Sequence, residues 1–240
     1  TRPDDLWITM RLDKFLAQSS GFSRKDVRKM MRAGEITLNG EEARDPSIHI
    51  SDDDIICLDG MPLQAPGERY LMVFKPEGCV CSNDDSTHPT VLSLLDEPRA
   101  DEMIICGRLD VDTTGLVLVT TDGQWAHRIT SPKHKTGKVY LVETADPIPQ
   151  DAVEKFETGL MLHNEPFRTK PAKLEILSDF EARVVLTEGR YHQVKRMFAA
   201  IGNKVESLHR EQIGEILLDD FLELGEYRDL TEEEVNSVYG

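Results

Sequence analysis

The sequence predicts an α+β protein of two unequal parts, and three observations carry this. Many short β-patterned segments alternate with helical ones at uneven spacing, unlike the regular βαβ order of a wound parallel sheet. "PLQAPGE", residues 62–68, carries two prolines and a glycine and reads as a linker. Charge is segregated. Residues 11–34 hold seven bases against two acids, and residues 211–240 hold ten acids and one base, Arg228, and are expected to be a solvated face.

In chain order, residues 1–9 fit no pattern and are expected to be an extension or an expression leftover ahead of Met10. Leu12, Phe15 and Leu16 have helical spacing. Ser23 is placed to cap a second helix, with Asp26 three positions on reaching back. Val27, Met30 and Met31 form its apolar face, Arg24, Lys25, Arg28, Lys29 and Arg32 its exposed one, and Gly34 ends it. "EITLNG" reads as a strand and turn, and 48–60 as short strands, so the first module spans 10–61. After the linker a second domain, 69–240, is expected. Its strands are 69–75, 103–105, 116–121, 138–143, 174–176, 182–187, 205–209 and 213–218. Helices are expected at 90–95, after the cap Asp122 to 130, at 150–160 and at 191–201. The last is basic, with Val194, Met197 and Phe198 on its inner face.

At 240 residues, 39% hydrophobic and 30% charged, the chain has the composition of an ordinary globular protein. It has no apolar run long enough to span a bilayer and no apolar leader at its start, so a cytoplasmic protein is expected. A net charge of −16 argues against a polyanion partner for the molecule as a whole, but the basic 11–34 segment keeps RNA in play. Read alone, such a run more often means a solvated helix face. The four cysteines, Cys57, Cys79, Cys81 and Cys106, are too sparse for a disulfide framework. No CxxC pair or nearby histidine completes a zinc set. Buried thiols are expected, with no metal and no cofactor.

The stretch "GRLDVDTTGLVLVTTDG", 107–123, sets two acids, Asp110 and Asp112, before an apolar strand. A calcium loop fails, because its twelfth position falls on Thr121 instead of a glutamate. A DxDxT magnesium phosphatase needs a later acidic pair within a regular α/β order; no convincing pair is found, and this reading stays the enzymatic runner-up. Turn-capping suits Asp112, Thr113 and Thr114, and on pattern alone would suit Asp110 too. The remaining reading is one carboxylate acting on an organic substrate.

Four ordered motifs decide among these. Lys75-Pro76-Glu77-Gly78, Gly107-Arg108-Leu109-Asp110 with Asp112-Thr113-Thr114-Gly115-Leu116, Lys138-Val139-Tyr140, and "EGRYHQVKRMF" at 188–198 together resemble the pseudouridine synthases. Arg11-Leu12-Asp13-Lys14, Ser23-Arg24 and the 34–40 segment resemble the S4 RNA-binding domain. The combination is most similar to the branch acting on single sites of small-subunit ribosomal RNA. Phe74 departs from the asparagine many relatives carry before Lys-Pro.

The resemblance implies an S4-like (αL) domain followed by a catalytic domain with a mainly antiparallel mixed sheet flanked by helices. It implies isomerisation of a uridine in 16S-type RNA, in naked RNA or an assembly intermediate, by a monomer without cofactor. A non-catalytic S4-type assembly factor is the rival. Asp110 is implied as the catalytic carboxylate, Lys195 as its basic partner and Tyr140 as the ring stacking on the extruded base. Alternation along 138–143 equally allows Tyr140 to be a core residue. Arg108, Arg190, Lys138, Arg196 and Lys75 are expected to bind substrate, helped by Arg210, Lys133 and Lys135. Arg11, Lys14, Arg24, Lys25, Arg28, Lys29 and Arg32 form the expected S4 surface. A closed pocket favours the protonated acid, so a buried Asp110–Lys195 pair is expected, its loss costing about 3–5 kcal/mol.

Overall fold

The computed structural model describes all residues except 1–9, 52, 65, 66 and 99, so the expected N-terminal extension lies outside the described residues. Contacts divide the chain into two compact units. One runs up to Glu68 and takes in Asp96–Ala100; the other comprises Arg69–Leu95 and Asp101–Gly240.

The first unit packs α1 (Leu12–Ser20) and α2 (Arg24–Arg32) with six short strands: β1 (Met10–Arg11), β2 (Ile36–Leu38), β3 (Glu41–Glu42), β4 (His49–Ile50), β5 (Ile56–Leu58) and β6 (Met61–Pro62). Pro62 thus closes this unit's last strand instead of opening the linker. Leu12, Phe15, Leu16, Val27, Met31 and Ile36 form its core. Ser23 caps α2 by accepting from the Asp26 N–H at 3.1 Å. The return bond differs from expectation: the Ser23 hydroxyl donates to the Asp26 carboxylate at 2.7 Å. Asp13 is fully buried and draws in Arg11 at 3.0 Å and Arg28 at 3.8 Å. These two arginines, themselves exposed, pair with a buried acid of the module, while Lys14, Arg24, Lys25, Lys29 and Arg32 are exposed without that tie.

In the second unit the strands are β7 (Tyr70–Lys75), β8 (Ile104–Cys106), β9 (Thr114–Thr120), β10 (Lys138–Thr144), β11 (Lys173–Ser178), β12 (Glu181–Leu186), β13 (Val205–Ile213), β14 (Ile216–Leu217) and β15 (Tyr227–Asp229). They form one mixed sheet in the order β11-β12-β10-β13-β9-β7-β15, with β14 on β13 and β8 on β9. All pairings are antiparallel except β13 with β9. Leu71–Val73 and Leu116–Val119 are fully buried, which is why β9 reads as an unbroken apolar run and not as an alternating one. The helices are α3 (Gly123–Thr130), α4 (Ala152–Thr158), α5 (Gln193–Ala200) and α6 (Glu232–Ser237). Phe156 of α4 packs on Phe198 of α5 over the β10 and β12 side chains. Thr90–Leu95, expected as a helix, is a 3₁₀ turn at Val91–Leu94.

Two expectations are corrected. The strands expected at 205–209 and 213–218 are one continuous strand, β13, followed by the two-residue β14. The acidic C-terminal stretch, expected as a solvated face, is built into the fold. Within it β15 extends the sheet along β7. Trp125 donates its indole N–H to the Val235 carbonyl at 3.0 Å, and Thr231 and Glu234 form a capping box on α6. Arg228 joins Asp219 and Glu234 at 2.8 Å each.

His209 on β13 faces Thr114 Oγ1 at 2.8 Å and the edge of Phe74. Burial pushes its imidazole below the ordinary 6.5, against a weaker pull from Glu211. Folding therefore favours the neutral ring. Its contribution is complete above pH 6.5 and is lost as pH falls toward the lowered folded value. The melting temperature should fall as pH drops below 6.5, and His209→Gln should flatten that fall; parallel profiles for the two proteins would reject the assignment.

Candidate active site

The 107–113 loop connects β8 to β9 and carries both acids. Gly107 turns the chain at φ +88°, and the Thr113 N–H closes a turn on the Asp110 carbonyl at 3.0 Å. At Gly115 only glycine fits: φ is +120°, and a Cβ would stand 2.2 Å from the Arg210 carbonyl oxygen. This close parallel approach of β9 to β13 fixes where the loop ends.

Lys75 and Arg210 lie beneath the loop, both almost fully buried. Lys75 Nζ donates to the carbonyls of Pro76 at 3.0 Å, Val111 at 3.3 Å and Thr113 at 2.7 Å. Burial lowers its pKa against the pull of Cys81, Cys79, Asp112 and Asp110. Arg210 Nε donates to the Leu116 carbonyl at 2.9 Å and Nη1 reaches the Arg108 carbonyl at 3.5 Å. Its Nη2 and the Thr113 hydroxyl are buried without a hydrogen-bond partner among the described residues. Both cations were expected at the substrate. They are spent on the backbone that presents the acids, because a loop buried from below needs donors for its carbonyls.

The α5 helix brings the opposite charge. Lys195 stands beside Val194 and Phe198 at the edge of the buried face, and its Nζ lies 3.2 Å from Asp110 Oδ2 and 2.6 Å from Asp112 Oδ1. Burial alone would lower the Lys195 pKa, but its bonds to Asp112 and Asp110 outweigh that and raise it. The Lys195 hydrogen bond holds the Asp112 carboxyl below the usual carboxylate range. Asp112 is thus an ion-pair partner and not simply a turn cap. The pair is also less enclosed than expected, with side chains 26% and 28% exposed for Lys195 and Asp110. Losing it should cost about 1–3 kcal/mol, between the surface and buried limits.

His192, absent from the expected set, sets its Nε2 3.2 Å from Asp110 Oδ1. Its spacing to Lys195, three residues on, is visible in the sequence, but helical spacing does not aim it: His192 lies in the left-handed region before α5.

The remaining expected residues divide. Tyr140 lies in the register row Lys75, Gly115, Arg210, Tyr140 across β7, β9, β13 and β10, partly buried against the core under α5. Lys138, two positions before it, is half-buried near Gly189; burial, then the nearby Arg210, lowers its pKa. Arg108 is exposed beside Asp110, and Lys133 and Lys135 are exposed near the turn before β10. Arg190 and Arg196 are engaged within the chain. Arg190 donates to the Phe167 and Arg168 carbonyls at 2.9 and 2.7 Å, and Arg196 to the His163 and Tyr191 carbonyls at 2.8 and 3.0 Å. They tie the 163–168 loop to the start of α5.

Cys79, Cys81 and Cys106 are buried free thiols behind the loop; burial pushes Cys106 up to about 12. Among the described residues no three His, Cys, Asp or Glu side chains are grouped to share a metal ion. The chemistry on offer is one carboxylate on a braced loop, with the Lys195 ammonium 3.2 Å from one oxygen and the His192 ring nitrogen 3.2 Å from the other.

Comparison with known proteins bears on what such a carboxylate does. The family model described as RNA pseudouridylate synthase matches residues 69–200, and the S4 domain model matches residues 10–56. Ribosomal small subunit pseudouridine synthase A of Vibrio parahaemolyticus is 54% identical over 232 residues, covering 96% of this chain and 100% of the relative. Its counterpart in Escherichia coli K12 is 54% identical over 230 residues, covering 95% and 100%. A crystal structure described as pseudouridylate synthase superposes with a TM-score of 0.70 at 50% identity, covering 95% of this chain and 99% of that one.

Proposed function

The chain belongs to the RNA pseudouridylate synthase family and carries an S4 domain, and from that premise we propose that it isomerises one uridine of small-subunit ribosomal RNA to pseudouridine, with Asp110 as the catalytic carboxylate. The observation that supports the assignment is the position of Asp110: an ionisable oxygen pair on a braced loop, 3.2 Å from the Lys195 ammonium. The relatives' names supply the RNA. The substrate is that RNA or a particle assembled on it.

In this reaction the bond from ribose C1′ to uracil N1 breaks, the base turns, and C1′ bonds to C5. The proton leaves C5 and N1 gains one, so reactant and product are isomers and the electrons balance without an added oxidant or reductant. Asp110 enters as the anion, attacking C1′ or C6 as a nucleophile or taking a sugar proton as a base. All three routes need it charged after the base has displaced water, when desolvation favours the acid form. Lys195 opposes that. Asp112 holds Lys195 in place from the solvent side. Tyr140 offers a flat ring to the extruded base, and Arg108 a planar cation to the gap left in the RNA stack. Extrusion costs a few kcal/mol, which phosphate contacts must offset.

The S4 module is assigned part of that affinity, through Arg24, Lys25, Lys29, Arg32 and Lys14. Arg11 and Arg28 contribute less, since they are drawn to Asp13. Replacing Arg24 and Lys29 by alanine should weaken RNA binding and lower the slope of log K against log salt by about 1–2. An unchanged slope would remove this face from the interface.

One chain carries both the RNA-binding face and the acid, so we assign a monomer. The cytoplasm is the assigned compartment, as the site of ribosomal RNA; no helix among the described residues is long and apolar enough to cross a membrane.

A further inference from the structure

Resting on the pseudouridine synthase reading, we infer that His192 is a positioning residue that fixes the orientation of the Asp110 carboxylate. Its Nε2 stands 3.2 Å from Oδ1, while Lys195 holds the other oxygen, Oδ2, from 3.2 Å.

An aspartate side chain turns about a broad terminal torsion. A cation on one oxygen keeps the group charged without fixing its plane. Lys195 is a weak anchor for that purpose, because Asp112 draws the same ammonium to 2.6 Å. A donor on the far oxygen supplies the missing constraint, and in a near-attack geometry a small misplacement of the reacting oxygen is costly.

The local backbone is shaped to deliver this ring. His192 lies in the left-handed region at φ 49°, ψ 38°, immediately before α5. A non-glycine residue is strained there, and such strain persists where surrounding contacts over-determine it. Those contacts are present. The Arg190 N–H donates to Gln193 Oε1 at 2.9 Å, and Arg196 Nη1 donates to the Tyr191 carbonyl at 3.0 Å. The Tyr191 ring stacks on the imidazole at 3.8 Å and 18°, so the ring is backed on one face and meets the acid at its edge. The charged groups around it are Asp110, Lys195 and Asp112. Lys195 already supplies a cation, so the role left for His192 is orientation through an N–H.

The test measures kcat and KM on unmodified small-subunit ribosomal RNA, naked or assembled with its proteins, for four variants. His192→Ala should lower kcat about tenfold or more with KM within about threefold of the parent. His192→Gln, which offers an N–H near the Nε2 position, should recover most of that loss. His192→Gly relieves the left-handed strain, so it should melt no lower than the parent while remaining as slow as His192→Ala. Asp110→Asn, the fourth, should give no product. A His192→Ala enzyme with parental kcat beside an inactive Asp110→Asn overturns the His192 role and leaves the catalytic reading standing. Product from Asp110→Asn overturns the catalytic reading itself. A loss confined to KM, or a glutamine variant as slow as alanine, also overturns the positioning role. If the alanine variant does not fold, the glutamine and glycine variants decide.

Discussion

Asp110→Asn is expected to abolish pseudouridine formation while leaving the protein folded and able to bind RNA. The amide is isosteric with the carboxylate but carries no charge, so it can neither attack carbon nor accept a proton at a useful rate. A loss of at least about 10³-fold in kcat corresponds to about 4 kcal/mol of transition-state stabilisation. Folding should lose at most the ~1–3 kcal/mol of the Asp110–Lys195 pair, because Lys195 keeps Asp112 at 2.6 Å and Asp110 itself is partly open to solvent. Affinity for RNA should stay within about threefold. Asp112→Asn is the contrast. Asp112 contacts the same ammonium, but its side chain is 63% exposed, so its loss should slow the enzyme by no more than about tenfold. Mass mapping of pseudouridine in ribosomal RNA incubated with each pure variant separates the two acids. Equal losses at 110 and 112, or product from Asp110→Asn, would mean that the carboxylate at 110 is not the reacting one.

How much of this was legible depends on the range over which each feature is decided. The caps at Ser23 and Asp122, the buried run of β9 and the inner face of α5 follow from residues within a few positions, and the structure has them. The Asp110–Lys195 contact spans 85 positions and was legible only because two motifs of one family carry its halves. Buried cations were not legible. "HREQ", 209–212, reads as a polar break, and so β13 was divided there. In the fold, β9 and β10 flank that stretch, and Arg210 is buried because backbone carbonyls of the acid loop receive its guanidinium. The acidic C-terminus misleads in the opposite way. Its ten acids suggest a solvated tail, but Leu218, Leu222, Leu230, Val235 and Val238 among them pack at the edge of the Trp125 cluster. Charge density is a local property, whereas the partner of an apolar side chain is set by topology. His192 shows a third limit: the helix start was expected, but the left-handed residue that aims the imidazole has no sequence signature apart from its spacing to Lys195.

Lys75→Met should damage both the fold and the rate, although Lys75 donates only to backbone carbonyls of its own loops. Methionine matches the stem in volume, so no large cavity opens. What disappears is the ammonium that bonds the Pro76, Val111 and Thr113 carbonyls. Hydrogen bonds from a charged donor are each worth about 1.5–3 kcal/mol, offset in part by no longer burying an ammonium. The Val111 carbonyl keeps a second donor, the Gly78 N–H at 2.8 Å, whereas among the described residues no second donor is seen for the Thr113 carbonyl. A net destabilisation of about 2–4 kcal/mol is therefore expected, or roughly 5–12 °C in melting temperature for a domain of this size. The rate should fall further than stability alone implies. The Val111 and Thr113 carbonyls belong to the loop that carries Asp110 and Asp112, and a shift of about 1 Å in that loop costs on the order of 10²-fold. The loss should appear in kcat well below the melting transition, with RNA affinity little changed. If Lys75 instead contacts RNA phosphate, the variant would lose affinity and salt dependence while its melting temperature stayed at the parental value. Thermal melts and single-turnover rates on the same preparation distinguish a brace beneath the catalytic loop from a contact to the substrate.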